Sequence, residues 1–409
     1  MKVGIIGAGF VANFHVRALH SVRGAEVSAV YALKGAEELR DRAIATGVGK
    51  PVVCDSVKDL CQKADVVCLF LPNFARLEAV KAIVKATAKG SKIRGIIAEK
   101  PLARNVAEAN EVVSLIESKG WPTAYFENQI HMPAVINARQ QLLAIEKKMG
   151  PPNLVRTAEE HGGPHEAWFW DPTRQGGGVW CDMGCHSVAV GEELATPASG
   201  KRLIPLSLTA NMGLLKWGNE PWKSRLVKRG VDYAKTPAED YACVSFTFES
   251  EGGKLVVVQA TDSWMYEAPG LRLNMEMMGP GYALNVNTLN SSSGIFISDD
   301  AAASVGNAEL ALEKSQASRG QLVVQPNEPD LYGYVGEWRD AIAALEKGKS
   351  AKLDFAYGAR VVKLVMAAYM SHERRQTIDL QRGKFLDSPE LAAYVPLIQQ
   401  GKGREILSR

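Results

Sequence analysis

Lys2-Val3-Gly4-Ile5-Ile6-Gly7-Ala8-Gly9-Phe10-Val11-Ala12 joins a short apolar run, a glycine turn and the opening of an amphipathic segment that continues through Leu19. A short apolar run bounded by glycine reads as a buried parallel strand. The turn has the form G-x-G-x-x-A between that strand and a helix. Gly7 permits the tight turn, Gly9 lets a pyrophosphate approach the main chain, and Ala12 lets helix pack closely on strand. The helix start offers N–H groups and the positive end of its dipole to phosphates.

Outward from this stretch the pattern repeats. Strands are predicted at 25–31, 65–71, 95–98 and 123–127, and helices at 35–46, 74–88 and 105–119. Strands alternating with helices predict a doubly wound parallel sheet, so this part of the chain reads as a Rossmann dinucleotide-binding domain. One expected part is missing. The second strand ends Val30-Tyr31-Ala32-Leu33-Lys34, without the Asp or Glu that usually binds the ribose 2′-hydroxyl. Lys34 either pairs with a 2′-phosphate, which favours NADP, or is a solvated loop residue beside NAD. The expected cofactor is NAD(P), with both forms open.

A chain of 409 residues is long enough for two domains, each with its own core. Lys plus Arg (48) nearly equals Asp plus Glu (45), so no strong field points to nucleic acid or an anionic membrane. No apolar run reaches the roughly 18 residues of a membrane helix. Met1–Phe10 enters strand and turn directly, without the pattern of a secretory signal. The six cysteines (54, 61, 68, 181, 185, 243) lie in hydrophobic contexts and read as reduced thiols of a cytoplasmic protein.

Four further stretches carry chemistry. Asp65–Leu71 runs into Pro72-Asn73, and the next strand ends in Glu99-Lys100-Pro101-Leu102-Ala103. Trp170-Asp171-Pro172 precedes Gly176-Gly177-Gly178-Val179-Trp180-Cys181-Asp182-Met183-Gly184-Cys185-His186, and Glu239-Asp240, Trp264, Glu276–Gly279 and Glu337-Trp338-Arg339-Asp340-Ala341 follow. With these landmarks the sequence, from Lys2 to about Leu380, resembles the glucose–fructose oxidoreductase, inositol dehydrogenase and MocA family. The resemblance implies a C-terminal α+β domain with a largely antiparallel open sheet that helps form the active site and a homo-oligomer interface, in a dimer or tetramer. The expected division is 1–127 for the dinucleotide domain, 128–385 for the substrate-binding and oligomerisation domain, and 386–409 for a C-terminal extension.

The resemblance also implies that Lys100, Asp182 and His186 are the catalytic trio. The chemistry agrees: oxidising a carbinol needs a group that takes the hydroxyl proton. Lys100 follows a strand's carboxyl end, where ligands bind in such sheets, and desolvation there lowers a lysine's pKa toward neutrality. Asp182 and His186 lie four apart, on one face of a helix. The candidate cofactor-binding positions are Gly7, Gly9, Phe10, Val11, Ala12, Lys34, Leu71, Pro72, Asn73, Glu99, Lys100 and Asn128.

Two departures from the family pattern leave the substrate open. Phe74-Ala75-Arg76-Leu77 replaces the usual histidine after Pro72-Asn73, and Tyr125–His131 replaces the usual Asn-x-Arg-Phe-like stretch. In Glu159–Trp170, polar residues alternate with aromatic platforms that suit a sugar, and His161, His165, Glu166, Trp168 and Trp170 are candidate substrate contacts. A zinc reading of His161, His165, Cys181, Cys185 and His186 lacks any Cys-x2-Cys pair, and Gly162-Gly163-Pro164 breaks the helix it would need. No metal is expected. Lys216–Arg229 is a basic, tryptophan-containing insertion, either a lid over an anionic substrate or a solvated loop or oligomer contact. Ser291–Gly294 and Gln316–Pro329 read as exposed connections.

The expected activity is NAD(P)-dependent oxidation of a CH–OH group of a sugar, sugar derivative or polyol. A glycoside-cleaving enzyme that oxidises a hydroxyl transiently and eliminates the aglycone is the alternative, with His161, His165 or Tyr125 as its second base. A non-catalytic dinucleotide sensor is the alternative from another class, and it has no need of the trio.

Overall fold

The computed structural model describes residues 1–87, 93–267, 270–288, 293–297, 320–324 and 327–407. The chain divides into two compact units, Met1–Pro133 with Pro329–Val362, and Ala134–Glu328 with Lys363–Arg409. The expected boundary at 127 thus lies a few residues early. Residues 329–362 return to the first unit, and 386–409 pack within the second rather than forming a separate extension.

The first unit is built on six parallel strands: β1 (Lys2–Ile6), β2 (Glu26–Tyr31), β3 (Val52–Val53), β4 (Val66–Leu69), β5 (Gly95–Glu99) and β6 (Thr123–Phe126). Their order is β3-β2-β1-β4-β5-β6, the Rossmann arrangement, with the strand order reversing between β1 and β4. The connecting helices are α1 (Phe10–Leu19), α2 (Ala36–Ala45), α3 (Val57–Lys63), α4 (Asn73–Ala86) and α5 (Val106–Glu117). β4 and β5 are buried at every position, which explains their continuous apolar runs. The edge strand β3 and helix α3 escape periodicity because the strand has only two residues. A later helix, Tyr334–Glu346, packs on α1 and on the turn Asn128–His131.

The second unit carries α6 (Pro133–Met149, apart from its first residue), the short α7 (Pro172–Gln175), α8 (Val179–Ala195) and α9 (Trp222–Lys228). Its sheet comprises β7 (Leu154–Glu160), β8 (Ile204–Gly213), β9 (Tyr241–Glu249), β10 (Leu255–Ser263), β11 (Arg272–Gly279) and β12 (Tyr282–Asn287). A backbone hairpin pairs β13 (Ser293–Ile297) with β14 (Gly320–Val324), and β15 (Ile378–Asp379) closes the main sheet in the order β12-β11-β7-β10-β9-β8-β15. Only β7 and β10 pair in parallel; the other pairings in this sheet are antiparallel. Alternation in β9 turns Ala242, Val244, Phe246 and Phe248 inward. Helix α8 covers the inner face of β7 and β10, where a Cβ on Gly191 would press on Val258.

The exposed connections expected at Ser291–Gly294 and Gln316–Pro329 are corrected where β13 and β14 form and where Glu328–Leu331 makes a helical turn. Residues 291–292, 316–319 and 325–326 of those stretches lie outside the described residues. Among the described residues no helix is long and apolar enough to cross a membrane.

Candidate active site

At the carboxyl end of β1, Gly7 takes φ +109°, and its N–H donates to the Tyr31 carbonyl at 2.9 Å. A Cβ at Gly7 would fall against the Phe70 carbonyl just past β4, so only glycine fits the point where the strand order reverses. Gly9 precedes α1 in extended backbone, is exposed, and a Cβ built on it would meet nothing within 4 Å. Asn13 gathers the loop carbonyls, its Nδ2 donating to Gly9 O at 2.9 Å and Ala8 O at 3.3 Å. No side chain caps the start of α1. An open cradle beside an uncapped helix start, with Ala12 wholly buried beneath, fits the pyrophosphate of a dinucleotide. Phe10 and Val11 are half-buried at its rim.

Lys34 is exposed past the end of β2, next to Leu33, which is 94% exposed. Leu71 and Pro72 are half-buried before α4, whose first residue, Asn73, is buried. Asn128 is corrected in its surroundings: it is buried and its side-chain N–H donates to the Tyr332 carbonyl at 2.7 Å. Its side-chain N–H ties it to the returning segment.

Lys100 is half-buried directly after β5, and its N–H donates to Glu99 Oε2 at 2.9 Å. Glu99 Oε1 meets His15 Nε2 at 2.8 Å, and Trp338 Nε1 donates to His15 Nδ1 at 3.0 Å. His15 is fully buried and stacks on Phe70 with ring centroids 4.0 Å apart. Burial lowers its pKa, against the upward pull of Glu99. Glu337, also buried, lies 3.9 Å from His15 Nδ1. Its carboxyl is pushed well above the ordinary range by burial and then by the charges of Glu99 and Glu127.

In the second unit, Asp182 and His186 stand one turn apart near the start of α8, both buried. The glycines before them are packing requirements. A Cβ on Gly177 would strike the Tyr369 hydroxyl, and one on Gly178 the Glu239 carbonyl and carboxylate. Glu239 accepts the Gly178 N–H at 2.9 Å, the Trp180 N–H at 3.1 Å and the Tyr369 hydroxyl at 2.6 Å. A buried carboxylate thus caps the helix that presents the two candidate catalytic groups. Cys181 and Cys185 donate their thiols to the carbonyls of Gln175 and Asp182.

The predicted substrate contacts separate into two groups. His165 and Glu166 are exposed and Trp168 is half-buried, stacked on Phe169 at 3.9 Å. His161 is buried, and its Nδ1 accepts the Gly163 N–H at 3.0 Å. Trp170 is fully buried among Trp217, Trp264 and Tyr233, and its indole N–H donates to the Pro164 carbonyl. It has no surface to offer a substrate, so its contact role is corrected to that of a supporting wall. The basic insertion is likewise anchored at its start. Asp240 accepts the N–H groups of Leu215, Lys216 and Trp217 at 2.7–2.8 Å. The buried Lys216 ammonium lies 4.7 Å and 4.4 Å from the ring centroids of Trp217 and Trp222 and pairs with Glu267.

Residues 1–125 match the model of the GFO_IDH_MocA family, described as an oxidoreductase family with an NAD-binding Rossmann fold. Over these residues the chain is similar to this family. It is an NAD-binding oxidoreductase. D-xylose dehydrogenase of Paenarthrobacter nicotinovorans is 23% identical over 308 residues, 72% of this chain and 74% of that relative. Glucose-6-phosphate 3-dehydrogenase of Bacillus subtilis is 30% identical over 110 residues, 27% of this chain and 28% of the relative. The crystal structure of GenD2 from gentamicin A biosynthesis, in complex with NAD, matches with a TM-score of 0.72 at 19% identity, covering 93% of this chain and 96% of that one. Myo-inositol dehydrogenase of Lactobacillus casei, in complex with NAD(H) and myo-inositol, matches with a TM-score of 0.64 at 17% identity, covering 93% and 96%. The oxidoreductase therefore shares its fold along nearly its whole length with these structures.

Proposed function

We propose that the oxidoreductase transfers a hydride between NAD(P) and a CH–OH group of a sugar, sugar derivative or polyol. The observation that carries this reading is the placement of Lys100. It follows the carboxyl end of β5, in the same sheet whose β1 leads into the Gly7–Gly9 cradle, with Glu99 holding its main chain. The nicotinamide, when bound, accepts or returns the hydride of the carbinol carbon. Lys100 takes the proton of the substrate hydroxyl, and His186 shares that proton while Asp182 orients the hydroxyl or holds the lysine. His165, Glu166 and Trp168 offer hydrogen bonds and a ring face to the rest of the substrate. The sugar and inositol dehydrogenases among the similar proteins support the substrate class.

The test is a panel of D-xylose, D-glucose, D-glucose 6-phosphate, myo-inositol and aryl glycosides with NAD and with NADP. Nicotinamide absorbance and aglycone release are followed together. Reduced nicotinamide formed in proportion to product supports the dehydrogenase. Aglycone released with no net cofactor change would replace it by the redox-cycling glycosidase, and dinucleotide binding without any turnover would favour a sensor.

A further inference from the structure

His15 is a buried histidine in the helix that follows the glycine turn, and the proton acceptor reading does not use it. Its two ring nitrogens are both engaged. An indole N–H only donates, so Trp338 Nε1, 3.0 Å away, requires a lone pair on His15 Nδ1. In the neutral ring the proton is then on Nε2, which donates to Glu99 Oε1 at 2.8 Å. The other oxygen of Glu99 accepts the Lys100 N–H at 2.9 Å. That N–H lies just beyond β5, where the parallel ladder has ended, and the Glu99 carboxylate is its partner.

The geometry points to a positioning chain, Trp338 to His15 to Glu99 to the main chain of Lys100, that fixes where the lysine stands. This assignment rests on the reading of Lys100 as the proton acceptor. Each link sets one degree of freedom: Trp338 and Glu99 together hold the Nε2–H tautomer, Nε2 as donor orients Glu99, and Glu99 orients the turn after β5. The ring itself is clamped by Phe70 and by Phe126, 5.2 Å between centroids. Trp338, His15 and Glu99 are each buried to at least nine-tenths, so water does not compete for the two bonds of the imidazole. The same arrangement argues against a cation held by His15, Glu99 and Glu337, because both ring nitrogens already have hydrogen-bond partners.

The experiment compares His15→Leu, His15→Gln, Trp338→Phe and Lys100→Ala in the full chain. The hydroxyl donor is D-xylose or the panel member turned over in its place. NAD binding is read by fluorescence titration. His15→Leu removes the donor to Glu99, and a misplaced catalytic group loses up to about 100-fold in rate. The expected result is a kcat at least about 10-fold lower, with NAD affinity within about twofold. Glutamine keeps an N–H donor near the place of Nε2, so His15→Gln recovers most of that loss. Trp338→Phe leaves the Glu99 carboxylate to hold Nε2–H, so long-range proton–nitrogen spectra of histidine-labelled protein show the Nε2–H form of His15 in both wild type and variant. Normal kcat in a folded His15→Leu beside an inactive Lys100→Ala overturns the positioning chain alone. A fully active Lys100→Ala overturns both it and the proton acceptor reading. Should His15→Leu not fold, a wild-type spectrum with Nδ1–H on His15 overturns the chain.

Discussion

The Tyr369 hydroxyl donates to Glu239 at 2.6 Å and accepts the N–H of Cys181 at 3.1 Å, so one phenol joins a buried carboxylate to the first turn of α8. Asp182 is the next residue and His186 lies one turn further on, so the direction of both side chains depends on this junction.

Glu239 makes the junction sensitive to pH. Burial raises its carboxyl from 4.5 to about 7, against the lowering effects of Tyr369 and the backbone N–H groups. The folded state therefore binds a proton that the unfolded chain has released. The contribution is complete below the unfolded value of 4.5 and is lost as pH rises through about 7. Across that window the wild type should lose stability by at most about 1.4 kcal/mol per pH unit through this group. Urea midpoints of wild type and Glu239→Gln between pH 5 and 8 check it. A difference between the two proteins that stays constant with pH would show that Glu239 does not titrate there.

Gly7 and Gly9 should fail in opposite ways. A Cβ at Gly9 meets no protein atom, so Gly9→Val should keep the melting temperature and lose NAD and NADP binding. A Cβ at Gly7 collides with the Phe70 carbonyl at a positive φ, so Gly7→Ala should destabilise the fold by about 1–3 kcal/mol or more. Calorimetric titration and thermal melts separate the two. Normal dinucleotide affinity in Gly9→Val would remove the pyrophosphate from this loop.

Lys34 is the exposed cation past β2. If it meets a 2′-phosphate, Lys34→Ala should weaken NADP by about 1–3 kcal/mol and leave NAD unchanged. Equal NADP affinities before and after the change assign Lys34 to solvent.

His165 and Trp170 are five residues apart and should behave differently. His165 is exposed, so His165→Ala should raise the substrate KM at an unchanged melting temperature. Trp170 is wholly buried among three aromatic rings, so Trp170→Ala should cost about 3–5 kcal/mol of stability. An unchanged KM in His165→Ala would take that histidine out of the substrate site.

What the sequence shows and hides follows from range. Lys2–Ala12 is local, strand, turn and helix within a few residues, and the parallel sheet it implied is the one found. Lys100, Asp182 and His186 are each legible beside a local motif. Glu239 is legible only as part of the Glu239-Asp240 landmark and Tyr369 not at all, because their partner is a helix start about 60 and 190 residues earlier. α8 is buried on nearly every side, so no polar stripe marks the face that carries Asp182 and His186. His15 reads as one polar position in an ordinary amphipathic helix. Only the tertiary return of residues 329–362 brings Trp338 and Glu337 to it. The Glu337-Trp338 pair was visible as a motif, and its position in the fold supplies a physical reason for it.

Catalysis should depend on Lys100 and His186 as a unit. Both are proposed to serve one proton, so removing either leaves the transfer without its route, and removing the second changes little more. General acid–base groups contribute about 10²–10⁴-fold in rate, and Lys100→Ala should fall in or beyond that range with NAD affinity retained. His186→Ala should cost a comparable factor, and the double variant only slightly more than the worse single one, as for other groups that act together. Losses that multiply would assign the two residues to separate steps. Asp182→Asn distinguishes orientation from charge. A mild loss means the side chain only directs a hydrogen bond, whereas a loss equal to that of Lys100→Ala means its charge tunes the lysine. The pH profile of kcat/KM should carry an ionisation in the wild type that is absent in Lys100→Ala. If that ionisation persists there with near-full turnover, the proton acceptor is another group, and His161, His165 and Tyr125 are the next to replace.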